Sequence, residues 1–180
     1  MKNEIYDSML SRYDLTTEQN KRNAIFEVNQ QVILAGLYNG GFFESAAFYG
    51  GTCLRIFHGL QRFSEDMDFS LLAQDDAFDF SKYFQPIVDA FALVGREVEI
   101  KKKDKKNFGK VESAFLKDNT DVYDVMFQTE KSIKIKIEVD TCPSLNFKTE
   151  QKLLLQPHSF MTRCFTLPDL FAGKMHALVY

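Results

Sequence analysis

The segment DMDFSLL, residues 66–72, sets two carboxylates one residue apart inside what otherwise reads as a buried strand. On a strand, Asp66, Asp68 and Ser70 project from one face, while Met67, Phe69 and Leu71 project from the other. A charge without a partner is costly in apolar surroundings, and two like charges on one face are worse. A cation sitting between them would remove that cost. Carboxylates at i and i+2 suit a hard divalent cation such as Mg²⁺. A bare pair of this kind is also compatible with ordinary surface acids on an edge strand. Phe69, Leu71 and Leu72 argue for burial instead.

The residues before this strand read as one end of the same site. SAAFY (45–49) is a strand candidate entering Gly50-Gly51, and a short helix from Thr52 to His58 follows, with Gly59 as its C-cap. Glycines let the backbone approach a phosphate, and a helix N-terminus offers free N–H groups, to which the Thr52 hydroxyl adds a donor. A tight turn capped by Thr52 fits the same residues. Residues 53–65 suffice for a short helix and a return, which brings this turn beside Asp66. SIKIKIEVDT (132–141) supplies a third acid. Ile133, Ile135, Ile137 and Val139 share one face; Lys134, Lys136, Glu138 and Asp140 share the other. Three carboxylates on neighbouring strands compose a two-metal site for phosphoryl or nucleotidyl transfer, with Glu138 as third ligand and Asp140 two residues on.

The rest of the chain predicts a helix over 17–38, capped by Thr16 or Thr17 and stopped at Asn39-Gly40-Gly41. A second helix, capped by Ser81, runs to Leu93 or Val94 and ends at Gly95, with Pro86 in its second turn. Strands are expected from about residue 97, in KVESAFLK (110–117) and in DVYDVMFQ (121–128). Pro168 opens a last helix with Asp169 in its first turn. The class is α+β with α/β-like alternation: one domain over residues 1–180, a mixed sheet flanked by helices. The formal net charge of −3 argues against a dedicated sequence-independent DNA binder. Cys53, Cys142 and Cys164 suit reduced thiols better than a disulfide framework or zinc site. The N-terminus carries no secretory pattern and no apolar run is long enough for a membrane, so a cytoplasmic protein without a membrane partner is expected.

The order strand, GG-[ST], helix, strand, DxD, then a later acid on a strand is the pattern of the polymerase-beta-like nucleotidyltransferase superfamily. YGGTCLRIFHGLQRFSEDMDFSLL (49–72) closely resembles the AbiEii/AbiGii toxin-like nucleotidyltransferases, through Gly50, Gly51, Thr52, Arg62, Ser64, Asp66, Asp68, Phe69 and Ser70. IKIKIEV resembles the family's K-I-[DE]-[IV] strand, which puts Glu138 in the third-acid position. LPDLFAGKMHALVY resembles its late helix, whose lysine, here Lys174, faces the triphosphate.

The resemblance implies a Mg²⁺-dependent transferase moving NMP from an NTP to a hydroxyl of tRNA or protein. It also implies a bacterial toxin–antitoxin or abortive-infection toxin with a cognate antitoxin. Asp66, Asp68 and Glu138 would be both catalytic residues and metal ligands; Gly50, Gly51, Thr52, Arg62, Ser64 and Lys174 would bind the nucleotide. Family members continue into a helical C-terminal region, which this chain is expected to lack. Two other readings remain open: a small-molecule, aminoglycoside-like nucleotidyltransferase, and a catalytically silent nucleotide-binding module or truncated toxin remnant. Arg55 and Arg62 can meet phosphate or solvent. The lysines of KKKDKK (101–106) can meet RNA or solvent. Lys134 and Lys136 can neutralise Glu138, reach the triphosphate or pair across strands.

Overall fold

The computed structural model describes residues 3–104 and 119–179. Helix α1 (Glu4–Leu10) is capped by Asn3, whose side chain accepts from the Ile5 and Tyr6 amides. Helix α2 (Glu18–Asn39) starts at Thr17, whose hydroxyl accepts from the Asn20 amide 3.1 Å away. It ends where Gly41 adopts a left-handed conformation at φ 75°. Residues 26–37 are buried except Gln31, so α2 is enclosed on nearly all sides rather than along one stripe. Gly36 permits this. A Cβ there would stand 2.7 Å from the Ile87 Cα, where α4 (Phe84–Leu93) crosses over it.

Among the described residues the sheet has seven strands: β1 (Ala46–Tyr49), β2 (Met67–Leu71), β3 (Val98–Lys102), β4 (Thr120–Phe127), β5 (Lys134–Asp140), β6 (Thr149–Leu154) and β7 (Phe160–Phe165). Their spatial order is β3-β4-β5-β2-β1-β7-β6. The β2–β5 and β1–β7 pairs are parallel and the others antiparallel, so the sheet is mixed, as expected. The alternation in β5 works as the sequence predicts. Ile133, Ile135, Ile137 and Val139 are all buried, each side chain contributing about 1.5–3 kcal/mol. Phe42 fills the space beneath β2, with its ring 5.1 Å from Phe69 and 5.0 Å from Tyr83.

Several boundaries differ from the sequence reading. Helix α3 (Gly50–His58) begins at Gly50, so both glycines lie inside its first turn. The helix expected from Ser81 is two pieces. Asp79 caps a 3₁₀ turn, Phe80–Tyr83, by accepting from the Ser81 amide, and α4 proper begins at Phe84. Pro86 then falls in the first turn of α4, where an N–H has no helical acceptor, and it fits without a kink. Asp66 lies just before β2 rather than within it. Helix α1 and the β6–β7 hairpin were not predicted, and the strand expected over 110–117 lies outside the described residues. Lys101 and Lys102 belong to β3 and pair with Glu99 and Asp121. Among the described residues no helix is long and apolar enough to cross a membrane. The last helix, α5 (Leu167–Val179), opens with the Thr166 hydroxyl donating to Asp169 at 2.6 Å.

Candidate active site

The register of the central strands builds the site. Tyr49 stands opposite Asp68 in the β1–β2 pair, and Asp68 opposite Glu138 in the β2–β5 pair. One residue earlier, Met67 pairs with Ile137, which brings Asp66 beside Lys136. Two of the three expected acids are therefore direct cross-strand neighbours, and the third joins them through a lysine. The Lys136 ammonium lies 3.1 Å from Asp66 Oδ2 and 2.8 Å from Glu138 Oε1.

Lys136 thus both neutralises Glu138 and pairs across strands with Asp66. Burial pulls its pKa down, but the hydrogen bond to Glu138 and the charges of Asp66 and Glu138 more than offset this and hold it above the ordinary lysine value. Asp68 moves the other way. Burial first, then the Glu138 and Asp66 charges, push its carboxyl from 3.8 up to about 7, against the smaller pull of Lys136 and Lys174. Tyr49 is raised as well, by burial and then by Asp68, Asp140 and Glu138. The whole face is short of positive charge.

The glycine turn is pressed against these acids. Gly50 has φ 81°, and a Cβ there would lie 2.2 Å from Asp68 Oδ2, so only glycine fits. A Cβ at Gly51 would come 3.0 Å from Ser64 Oγ and 3.5 Å from Lys174 Nζ. Gly50, Gly51, Ser64, Asp68 and Lys174 are thus brought together from α3, β2, α5 and the loop between α3 and β2. A cavity of about 320 Å³ opens there, lined by Arg62, Ser64, Asp66, Asp68, Gly51 and Lys174 among others.

Thr52 lies inward of this cavity. It is fully buried, and its hydroxyl donates to the Asp66 carbonyl oxygen and lies 2.9 Å from Ser64 Oγ. Its position suits holding the loop rather than offering a free donor. Arg55 also turns inward, to Glu27 at 2.6 Å and to the Gln61 carbonyl at 2.8 Å. Gln30 completes this support and was not foreseen: its buried Nε2 donates to the Ser64 and Glu65 carbonyls, each 3.0 Å away. The available signal was a glutamine among the apolar residues of the 17–38 helix. Arg62 remains exposed at the cavity.

Among the described residues no three of His, Cys, Asp or Glu are gathered closely enough, as they stand, to hold a metal ion. Lys136 occupies the position between Asp66 and Glu138. The donor set still fits Mg²⁺: hard carboxylate oxygens on half-buried acids, an excess of negative charge, and an ammonium standing where a cation is stabilised. Replacing Lys136→Met removes that internal cation. The metal-free variant should lose about 1–2 kcal/mol, reduced by partial exposure of the pair. Added Mg²⁺ should then raise its melting temperature more than that of the wild type, as read by scanning calorimetry. An equal Mg²⁺ response in both proteins would contradict the assignment.

A family model for the nucleotidyl transferase AbiEii toxin of type IV toxin–antitoxin systems matches residues 32–180. No curated protein sequence matches the chain closely. Among solved structures, the chain is similar to MenT4, a nucleotidyltransferase toxin from Mycobacterium tuberculosis H37Rv, with a TM-score of 0.60, 20% identity and 93% of this chain covered. It is also similar to JHP933 from Helicobacter pylori, with a TM-score of 0.53, 17% identity and 88% of this chain covered. The chain spans 57% of the length of each of these two proteins. These likenesses establish the expected fold, a mixed sheet flanked by helices. With the family model covering most of its length, the chain belongs to the AbiEii nucleotidyltransferase toxin family.

Proposed function

We propose that this chain carries the catalytic centre of a Mg²⁺-dependent nucleotidyltransferase that moves NMP from an NTP to a hydroxyl acceptor. The observation that carries this is the pairing of Asp68 with Glu138 across β2 and β5, with the Gly50-Gly51 turn packed against Asp68. Asp66, Asp68 and Glu138 would hold Mg²⁺, which would lower the pKa of the acceptor hydroxyl and neutralise the phosphates. The first-turn N–H groups of α3 at Gly50 and Gly51 would bind the β- and γ-phosphates, with Ser64, Arg62 and Lys174 adding donors and positive charge. Thr52 and Gln30 hold the Ser64–Asp66 backbone and so fix where Asp66 points. The acceptor oxygen would attack the α-phosphorus and pyrophosphate would leave. The protein contributes positioning and a preorganised field rather than covalent chemistry.

Family membership supports a bacterial toxin acting in the cytoplasm and restrained by a cognate antitoxin, with tRNA or a protein hydroxyl as acceptor. The test is to incubate the purified protein with total RNA, Mg²⁺ and each α-labelled NTP, and to ask what becomes labelled. Label on RNA or protein is expected. No label with any NTP, from a folded protein, would overturn the proposal.

A further inference from the structure

A second cavity, of about 710 Å³, adjoins the first and shares Gly51, Asp68 and Lys174 with it. Its lining is different: the rings of Tyr49, Phe147 and Phe165, with Asp140, Asp169 and His176. The three rings form a stack. Phe147 and Phe165 have centroids 4.1 Å apart at 16°, and Phe165 and Tyr49 are 4.9 Å apart at 18°. Register explains the stack. Phe48 pairs with Cys164, so the next residues along the parallel strands, Tyr49 and Phe165, stand side by side. The row Glu138, Asp68, Tyr49, Phe165 therefore runs straight across the sheet from acids to aromatics. Phe147 extends it from the loop before β6. Tyr49 and Phe165 pack on the hydrophobic core; Phe147, half-buried, is outside that cluster.

We propose that this aromatic stack is the platform for the base of the donor NTP, an inference that rests on the nucleotidyltransferase reading above. The two cavities divide an NTP by chemistry. The smaller one offers Arg62, Ser64 and a helix N-terminus for phosphates. The larger one offers flat rings, on which a nucleobase stacks irrespective of its identity. Asp66 and Asp68 at the smaller cavity would be neutralised by the Mg²⁺ they hold, whereas Asp140 and Asp169 in the larger one, outside that ligand set, disfavour a phosphate chain there, which argues for the donor base over the backbone of an RNA acceptor. Asp68 and Lys174, common to both cavities, mark where the α-phosphate joins the two halves.

Calorimetric titration separates the halves. The full chain is titrated with a non-hydrolysable NTP analogue in Mg²⁺, and separately with inorganic tripolyphosphate. Phe147→Ala should weaken the analogue about tenfold, or ~1.4 kcal/mol, and leave tripolyphosphate unchanged; Phe147→Tyr should restore binding. Unchanged analogue binding, or equal weakening of both ligands, would overturn the platform. So would a defect confined to the KM for the acceptor. A wild-type chain that binds neither ligand would instead overturn the nucleotidyltransferase reading itself.

Discussion

Asp68→Asn should abolish transfer and stabilise the fold at the same time. The carboxylate is central to the acid row, so its loss should reduce Mg²⁺-dependent NMP incorporation by about a thousandfold. Its effect on stability follows from its environment. The folded-state carboxyl titrates at about 7, against an ordinary value of 3.8, because burial and then Glu138 and Asp66 disfavour its charge. Between these values the folded state binds more protons than the unfolded state, so stability falls as pH rises from about 4 to 7 and stays low above that. Asparagine removes this cost. Without metal, Asp68→Asn should be more stable than wild type at pH 8, on the order of 1–3 kcal/mol. The gap should close near pH 4. Mg²⁺ should narrow it from the other side by stabilising only the wild type. Denaturant unfolding at the two pH values checks this, and a destabilised variant at pH 8 would contradict the account.

Gly50→Ala carries the second large effect. Two costs coincide there. An L-residue at φ 81° is strained by roughly 1–2 kcal/mol, and the new Cβ would fall 2.2 Å from Asp68 Oδ2. The carboxylate must turn away or the first turn of α3 must shift, and either displaces the acid from Glu138. Activity should drop at least about a hundredfold. Gly59→Ala is the control. It shares the positive φ, at 68°, but a Cβ there meets nothing within 4 Å. It should lose similar stability yet keep transfer. If both variants retained full activity once folded, the contact between the glycine turn and Asp68 would have no catalytic role.

The parts of the molecule legible in the sequence were those with short-range signals. The Ile-Lys alternation of β5 fixed which face Glu138 occupies. Thr17 and the Asn39-Gly40-Gly41 stop bounded α2 to within a residue. The carboxylate pair in DMDFSLL pointed to the site because apolar neighbours made its charges expensive. The β6–β7 hairpin was invisible for the opposite reason. Thr149–Leu154 exposes alternate residues at a sheet edge, so its composition mixes Glu, Gln and Lys with leucine and lacks a clear period. Missing β7 also hid the aromatic row, since the stacking of Tyr49 on Phe165 depends on pairing between strands more than a hundred residues apart. The sequence leaves Lys136 three possible roles, and only the register between β2 and β5 places its ammonium between Asp66 and Glu138. Charge pairs across strands and buried supports such as Gln30 are properties of tertiary packing.

In the proposed mechanism Asp66, Asp68 and Glu138 direct attack at the α-phosphorus of an NTP. Parallel reactions with α-labelled and γ-labelled NTP, in Mg²⁺, with wild type and Asp68→Asn, distinguish attack there from attack at the γ-phosphorus. Label should reach the acceptor from the α-labelled NTP alone, labelled pyrophosphate should be released from the γ-labelled one, and neither product should form with Asp68→Asn. Transfer of the γ label to the acceptor, or equal α-label transfer by the folded variant, would contradict it.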